Sequence, residues 1–336
     1  MKLKIFKTLA FCLCSISLLA QTGNDSTSNN DAPSIINPIP NTVPEFDLQQ
    51  ANPSANTLQF LNEHFSDYQA FNFDFDSLNN YLLGNPYALE FNLNDRQNTT
   101  FLSLQRRDLR SPNFIESETS ENGENIIKFE RSPLTDSVFI VCTVNGFADR
   151  NKSKICRFAI NTNDLKGYIW NTETNQVLYY ISLQEFIKET GSDFTTSENF
   201  LLVYDLKDLI GNSNAICGVI NETDTTNNEQ YRGYFEQCTP RLLEIAAEGD
   251  YWWCQKFGSN ATSKILESLF LVEGIYTHHF NLSFVINHIN LLPNNSSLYN
   301  TTNSNSKIYA FQNNWNANNT SIDRDVAILY TGLRYD

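Results

Sequence analysis

The sequence predicts an α+β protein in which an antiparallel, β-rich region precedes an α/β region. Between residues 57 and 220, short runs rich in aromatic and β-branched residues alternate with polar, Asn-rich turns. After residue 238 the pattern becomes strand, helix, strand, helix, strand, which is typical of a layer with mostly parallel strands. Residues 221–237, which separate the two patterns, are predicted to be a linker.

The first twenty residues have the composition of a secretory signal peptide. Three lysines lie within the first seven residues, and the apolar run over residues 8–19 is too short to span a bilayer. Residues 21–56 are rich in Asn, Ser, Thr and Pro and are predicted to be a disordered lead-in. We therefore expect a secreted chain, extracellular or periplasmic, with no membrane attachment once the signal is removed.

The charge of the chain argues against one class of partner. The formal net charge is −15 and the isoelectric point is about 4.7. A nucleic-acid-binding protein needs a basic surface that displaces phosphate counterions. The sequence therefore predicts no nucleic-acid partner.

In the first region the sequence predicts a short helix followed by seven strands. The helix covers residues 58–64, and the strands cover 88–93, 100–104, 126–129, 137–144, 154–161, 167–170 and 176–181. The strands on either side of the turn at 145–153 carry Cys142 and Cys156. A disulfide across this hairpin is geometrically easy, so we predict that these two cysteines pair.

In the second region, residues 238–336, the predicted elements follow one another closely. Strands are predicted over 241–247, 282–292 and 325–330, and helices over 251–257, 261–280 and 307–316. The longest helix places Ile265, Leu269, Val272 and Tyr276 on one face. The region ends directly after a strand, which predicts an incomplete domain.

No complete active site is visible in the sequence. A catalytic zinc site usually takes two histidines one helical turn apart, and the chain contains no H-x-x-x-H. His278 and His279 are adjacent at a predicted helix end, and His288 lies within a predicted strand, where we expect a packed or rim histidine. The nucleophile elbow, the phosphate loop and the dinucleotide fingerprint are also missing from the sequence.

Five stretches in the second region carry a family resemblance. In order they are R-L-L-E-I-A-A-E-G-D-Y, K-F-G-S-N-A-T-S-K-I-L-E-S-L-F-L-V-E-G-I-Y, F-N-L-S-F-V-I-N-H-I, F-Q-N-N-W-N-A-N and R-D-V-A-I-L-Y-T-G. Residues 239–332 thus resemble the beginning of the catalytic domain of reprolysin-like (adamalysin-type) zinc metalloproteases, especially the secreted bacterial enzymes.

The resemblance implies a precursor with a β-rich prodomain over 57–220 and the incomplete N-terminal subdomain of a zincin metalloprotease over 238–336. It implies zinc as the cofactor of the full-length protein, a zinc-activated water that hydrolyses peptide bonds, and protein or peptide substrates. The family's H-E-x-x-H helix, expected after Thr331-Gly332, is not in this sequence. No catalytic residue or zinc ligand is therefore assigned, and we predict that this chain is inactive. The alternative is a secreted, non-enzymatic binding protein on a degenerate zincin scaffold.

Cys217 is the residue to which the resemblance gives a specific role. The segment Ala215 to Val219, A-I-C-G-V, resembles the cysteine switch of animal reprolysin prodomains, whose thiolate occupies the open zinc position. If Cys217 is such a switch, Cys238 and Cys254 remain to pair with each other. If it is structural, Cys217 pairs with Cys238.

Calcium is the second ligand that the resemblance implies. Some reprolysins bind Ca²⁺ through a Glu on the first strand and an Asp near a later strand, and Glu244 and Asp325 fall at the matching positions. Both offer the hard oxygen ligands that calcium prefers. The alternative is that they are two ordinary carboxylates.

Overall fold

The fold is α+β, as predicted, with a ten-stranded sheet and a five-stranded sheet. The computed structural model describes residues 45–84, 89–94, 99–119, 125–128, 137–144, 154–161, 164–171, 173–210, 240–294, 298–301 and 303–332. The predicted signal peptide and linker, together with Cys217 and Cys238, lie outside the described residues.

The N-terminal region, residues 45–210, contains twelve named strands and three α-helices within its described part. The strands are β1 (Glu45–Asp47), β2 (Gln49–Gln50), β3 (Gln69–Asn72), β4 (Leu89–Asn94), β5 (Thr99–Arg106), β6 (Arg110–Thr119), β7 (Asn125–Lys128), β8 (Ser137–Val144), β9 (Lys154–Asn161), β10 (Asp164–Asn171), β11 (Gln176–Ser182) and β12 (Leu201–Asp205). The helices are α1 (Ala55–His64), α2 (Phe75–Gly84) and α3 (Leu183–Thr190).

Ten of these strands form the first sheet, in the order β1-β4-β5-β8-β9-β10-β11-β12-β3-β2. Its pairs are antiparallel apart from β1 with β4, so the predicted antiparallel arrangement is confirmed for most of the sheet. One expectation needs correction. The predicted disordered lead-in ran to residue 56, but β1 and β2 are paired strands and Leu48 between them is buried.

The C-terminal region, residues 240–332, supplies three strands and three α-helices. They are β13 (Arg241–Gly249), α4 (Tyr251–Phe257), α5 (Ala261–Phe280), β14 (Leu282–Leu291), α6 (Ser304–Asn318) and β15 (Val326–Tyr330). All six were predicted, and β13 pairs in parallel with both β14 and β15. Asp250 caps α4 by accepting from Trp253 N, and Asn281 takes the left-handed conformation that ends α5.

The second sheet is not built from the C-terminal region alone. Its order is β15-β13-β14-β6-β7, and β6 pairs in parallel with β14. The N-terminal region therefore contributes two strands to a sheet whose other three strands begin more than 110 residues later in the sequence.

Helix α5 lies between the two sheets, and its apolar side chains join both. Phe270 is fully buried, and the guanidinium of Arg157 on β9 lies 5.7 Å from its ring. One apolar cluster includes Leu266 and Phe270 of α5 together with Ile181 of β11 and Ile286 of β14. Helix α6 covers the other face of the second sheet, where Trp315 packs in a cluster with Ala246. No helix among the described residues is both long and apolar enough to cross a bilayer.

Candidate functional site

The main concentration of buried charge in the described part of the chain lies where α5 meets the first sheet. Strand β10, helix α3 and helix α5 bring together seven polar side chains, which we name the interlayer cluster. Its members are Asp164, Lys166, Ser182, Glu185, Glu189, Lys264 and Glu267.

Local structure explains how the N-terminal half of this cluster is positioned. Ser182 is the N-cap of α3 and accepts from Glu185 N at 3.2 Å, which fixes Glu185 in the first turn. The same hydroxyl donates to Asp164 Oδ1 at 2.5 Å. The cap therefore ties the carboxylate of β10 to the start of α3.

Helix α5 supplies the other half of the cluster. Lys264 and Glu267 are three residues apart, so they share a face of the helix, and Lys264 Nζ lies 2.9 Å from Glu267 Oε2. The same ammonium lies 2.5 Å from Glu185 Oε1 and 3.6 Å from Asp164 Oδ2. Thus one lysine of the C-terminal region bridges two acids of the N-terminal region.

Lys166 repeats this bridge in the opposite direction. It belongs to β10, and its ammonium contacts Glu189 and lies 3.2 Å from Glu267 Oε1. Two buried lysines thereby face four carboxylates. A third lysine, Lys188, lies 3.7 Å from Glu185 Oε2, but 62% of its side chain is exposed.

Burial and pairing shift the pKa values of these groups in opposite directions. Burial, together with the charge of Glu185, raises the pKa of Asp164 to about 8, although Lys264 opposes this. Burial would also raise the pKa of Glu185, but Lys264 and Lys166 outweigh it and lower the value to about 2. Lys264, which lies closer to Glu185 than to Asp164, therefore favours ionisation of Glu185.

The cluster fits ammonium groups and not a metal ion. Within the described ranges, Glu185, Glu189 and Glu267 place carboxylate oxygens within 4.8 Å of one another. The ammonium groups of Lys166 and Lys264 contact these same three carboxylates, so they already supply the positive charge. The group also contains none of the Cys or His ligands on which protein zinc sites usually depend.

The histidines do not form a zinc site either. The rings of His278 and His279 lie 5.1 and 5.2 Å from the ring of Trp170. His64 Nδ1 lies 2.6 Å from the Phe60 carbonyl, and His288 Nε2 lies 2.9 Å from Ser117 Oγ. His288 is packed, as predicted. The described residues therefore do not fit zinc.

A second set of contacts links α5 to the N-terminal region near the other end of the helix. Glu273 is buried, and its Oε1 accepts from Arg107 Nη2 at 2.6 Å and from Phe284 N at 3.0 Å. Tyr168 donates its hydroxyl to the Leu271 carbonyl at 2.9 Å. A Cβ added to Gly274 would lie only 2.2 Å from that hydroxyl oxygen, so glycine allows this close approach.

A buried polar group also joins the regions on the opposite face of the second sheet. Ser117 of β6 donates to Asn290 Oδ1 at 2.8 Å, and Asn290 Nδ2 donates to Glu248 Oε2 at 2.8 Å. Burial raises the pKa of Glu248. Burial and the positive charge of Arg324 lower the pKa of His288 to about 4, so this histidine is neutral near pH 7.

The structure separates the fates of the predicted cysteines. Cys142 and Cys156 are direct partners in the register of β8 and β9, and Cys156 is buried and disulfide-bonded. The side chain of Cys142 lies outside what the structure describes, so the pairing of these two residues stays a prediction. So does the role of Cys217.

The predicted pairing of Cys238 with Cys254 is wrong, because Cys254 is a free, buried thiol. It lies on the inner face of α4, and its sulfur is 3.6 Å from the Gly249 carbonyl. Burial raises its pKa to about 11. Cys254 therefore packs as a small apolar side chain with a weak donor.

Glu244 and Asp325 are neighbours, but their contact uses the backbone. Asp325 Oδ2 accepts from Glu244 N at 2.8 Å, and Asp325 N donates to the Glu244 carbonyl at 2.8 Å. These bonds join β13 to the start of β15. Neither residue belongs to the carboxylate group described above, and two carboxylates are too few for calcium, so calcium binding stays a prediction for the full-length protein.

Sequence reasoning missed the interlayer cluster, although a signal was present. Lys166 interrupts a strand whose other residues are mainly apolar, and Glu185 lies on a strongly amphipathic helix. Charged residues at positions that the pattern assigns to the interior require partners of opposite charge. Which partners they find depends on the tertiary structure.

Comparisons with known proteins give little further guidance. No family model matches the chain, and no curated protein matches it. Among solved structures, the chain has a weak likeness to metalloproteinase-II from Bacteroides fragilis, with a TM-score of 0.37 and 10% sequence identity. The match covers 77% of this chain and 80% of that one. A likeness at this level supports no conclusion about function.

Proposed function

We propose that this chain is the precursor part of a secreted, zinc-dependent metalloendopeptidase. In this proposal residues 57–220 belong to the prodomain, and residues 238–336 begin the catalytic domain. The observation that carries it is the ordered resemblance of five stretches to reprolysin-like enzymes. Strands β13, β14 and β15 are parallel, and α5 connects β13 to β14 along the chain. This arrangement supports the proposal, because the catalytic domain of such enzymes begins with an α/β layer.

The zinc site of the proposed enzyme is not formed by the described residues. We therefore assign no catalytic step to this chain and expect it to hold no zinc by itself. Protein or peptide substrates and secretion remain parts of the proposal that rest on the resemblance and on the signal-like first twenty residues.

The test begins with the DNA that follows codon 336 in the source genome. An H-E-x-x-H motif within a few tens of residues, followed by chelator-sensitive proteolysis and one zinc per purified full-length chain, would support the proposal. The 336-residue chain is the matched control and should show neither property. An immediate stop codon and no proteolysis would favour the alternative, a secreted binding protein.

Cys217 belongs to the same proposal as a latency switch. In the full-length protein, Cys217→Ser should give activity without removal of the prodomain, because a hydroxyl is a poorer zinc ligand than a thiolate. Thiol labelling of the folded chain offers a simpler check. Buried Cys254 should react slowly and Cys217 quickly. Protection of Cys217 would contradict the switch and favour a Cys217–Cys238 bridge.

A further inference from the structure

We propose that the N-terminal region is a strand donor that stays bound to the C-terminal region when the chain between residues 211 and 239 is cut. The two regions would then behave as a tight two-chain complex and not as a domain and a detachable leader. This inference holds whether or not the complete protein is a peptidase, because it depends only on contacts within this chain.

The two regions share one continuous sheet. Strand β6 pairs in parallel with β14 from His288 opposite Ile115 to Leu291 opposite Glu118. The amide of Ile286 also donates to the Leu109 carbonyl at 2.7 Å. Removing β6 would expose this edge of β14 and break a row of main-chain hydrogen bonds, the kind of contact that gives affinity when a strand is added to a sheet.

Polar side chains of β6 also form hydrogen bonds with side chains of the C-terminal region. Ser117 is fully buried and bonds to both Asn290 and His288, which are residues of β14. Thr262 of α5 donates to Glu116 Oε1 at 3.1 Å. Separating the regions would break these side-chain bonds, and only water could replace the lost partners.

The ion pairs of the interlayer cluster join the two regions. Lys264 pairs with Glu185, and Glu267 pairs with Lys166, so each region supplies both an acid and a base. Arg107 and Glu273 add a third cross-region pair. This alternation of charge fits one partner surface in one orientation, since a shifted partner would place like charges together.

The two regions also share an apolar core. Helix α5 has buried side chains around most of its circumference, including Ile265, Leu266, Leu269 and Phe270. These side chains share a cluster with Phe186 and other residues of the N-terminal region. A free C-terminal region would expose this surface to water. Cutting the connection at 211–239 breaks none of these contacts.

The experiment uses the complete chain with Asn221 to Gln230 replaced by a protease recognition sequence flanked by Gly-Ser. The folded protein is cut and then passed through a sizing column at about 1 μM, and the mass of the complex is measured under native conditions. Both fragments should elute together in a 1:1 ratio, which requires a Kd well below 1 μM. Separate elution of the fragments without denaturant would overturn the proposal.

Two variants identify the contacts responsible in the cut protein. Lys264→Met should release the fragments at a clearly lower urea concentration than the parent protein. Lys188→Met, which removes a mostly exposed lysine near the same Glu185, should behave like the parent. Equal release by the two variants would remove the cluster from the argument, and the sizing result on the cut parent protein would still decide the proposal. The readout is association, so it is independent of any proteolytic activity.

Discussion

The two sheets differ in the sequence separation between the strands that pair within them. In the first sheet, β8 to β12 are neighbours both in the sheet and along the chain, with α3 between β11 and β12, so most pairs are local. In the second sheet, β6 lies beside β14, and their paired residues are more than 170 positions apart. Most of the first sheet can form from local hairpins, although β3 joins β12 across about 130 positions, whereas the second sheet depends on the pairing of β6 with β14.

This difference indicates that the C-terminal region depends on the N-terminal region more than the reverse. Besides the apolar cluster that it shares with α5, the first sheet has a separate cluster. This cluster contains Leu102, Phe158 and Leu201 and no residue of the C-terminal region. The second sheet has a cluster of its own on the α6 side, around Trp315, but β6, β7 and one side of the α5 packing come from the N-terminal region. Variants at the junction should therefore reveal how far the C-terminal region relies on the N-terminal one.

The largest effect is expected at Lys264. Lys264→Met leaves Glu185, Glu267 and Asp164 close together without their shared cation, and breaking a buried ion pair in this way costs about 3–5 kcal/mol. Urea unfolding monitored by circular dichroism measures the loss. Lys188→Met is the control and should cost less than about 1 kcal/mol. A loss at Lys264 as small as the control would mean that the cluster does not hold the layers together.

Predictability from the sequence follows the same division. The bounds of β8 and β9 and of α4 and α5 match the predicted ones, because hydrophobic patterning and helix period are local signals. Strand β6 was missed for a physical reason. Two of its inward positions are Ser117 and Thr119, whose polarity is explained only by Asn290, a partner more than 170 residues away. No local pattern could have shown this.

His288 provides a test of the second sheet through pH. Its folded pKa of about 4 lies below the ordinary 6.5, so the folded state binds fewer protons than the unfolded state between these values. The stability that this histidine contributes is present above pH 6.5 and is lost as the pH falls toward 4. We expect the free energy of unfolding to fall by about 2–3 kcal/mol from this group between pH 6.5 and 4.5.

The matched variant for that test is His288→Gln, whose amide can still bond to Ser117 but does not titrate. Urea unfolding at several pH values should show a shallower acid dependence for the variant than for the parent protein. Parallel pH profiles would mean that His288 is not held neutral in the folded state.

Gly274 tests the contact between α5 and the first sheet. A methyl group there would meet the Tyr168 hydroxyl at 2.2 Å and Arg157 Cγ at 2.9 Å, so Gly274→Ala should destabilise by about 1–3 kcal/mol. The higher helix propensity of alanine works against this by about 1 kcal/mol. A double-mutant cycle with Tyr168→Phe should recover part of the loss, because the phenyl ring lacks the contacted oxygen. A net gain from Gly274→Ala alone would show that the layers can move apart.

The candidate site was less predictable than the fold. The sequence indicated Cys217, Glu244 and Asp325 through family resemblance, and the structure joins Asp325 to Glu244 through bonds to the Glu244 main chain. The pairing predicted for Cys254 failed because it was reached by elimination, which does not show which way a side chain faces, and α4 turns this thiol inward. The ion pairs of the interlayer cluster needed the tertiary structure, since Lys264 and Glu185 are 79 residues apart.

The smallest expected effect is at Asp325, on the edge of the second sheet away from β6. Its carboxylate accepts from the Glu244 amide at 2.8 Å on the exposed surface, so Asp325→Asn should cost no more than about 1 kcal/mol. Asp323→Asn, at an exposed position two residues earlier, is the control. Calcium needs six to eight oxygen ligands, far more than two carboxylates supply, so millimolar calcium should leave the unfolding midpoint of this chain unchanged. A calcium-dependent rise in the parent protein that Asp325→Asn abolishes would instead establish a calcium site at this edge, independent of the N-terminal strands.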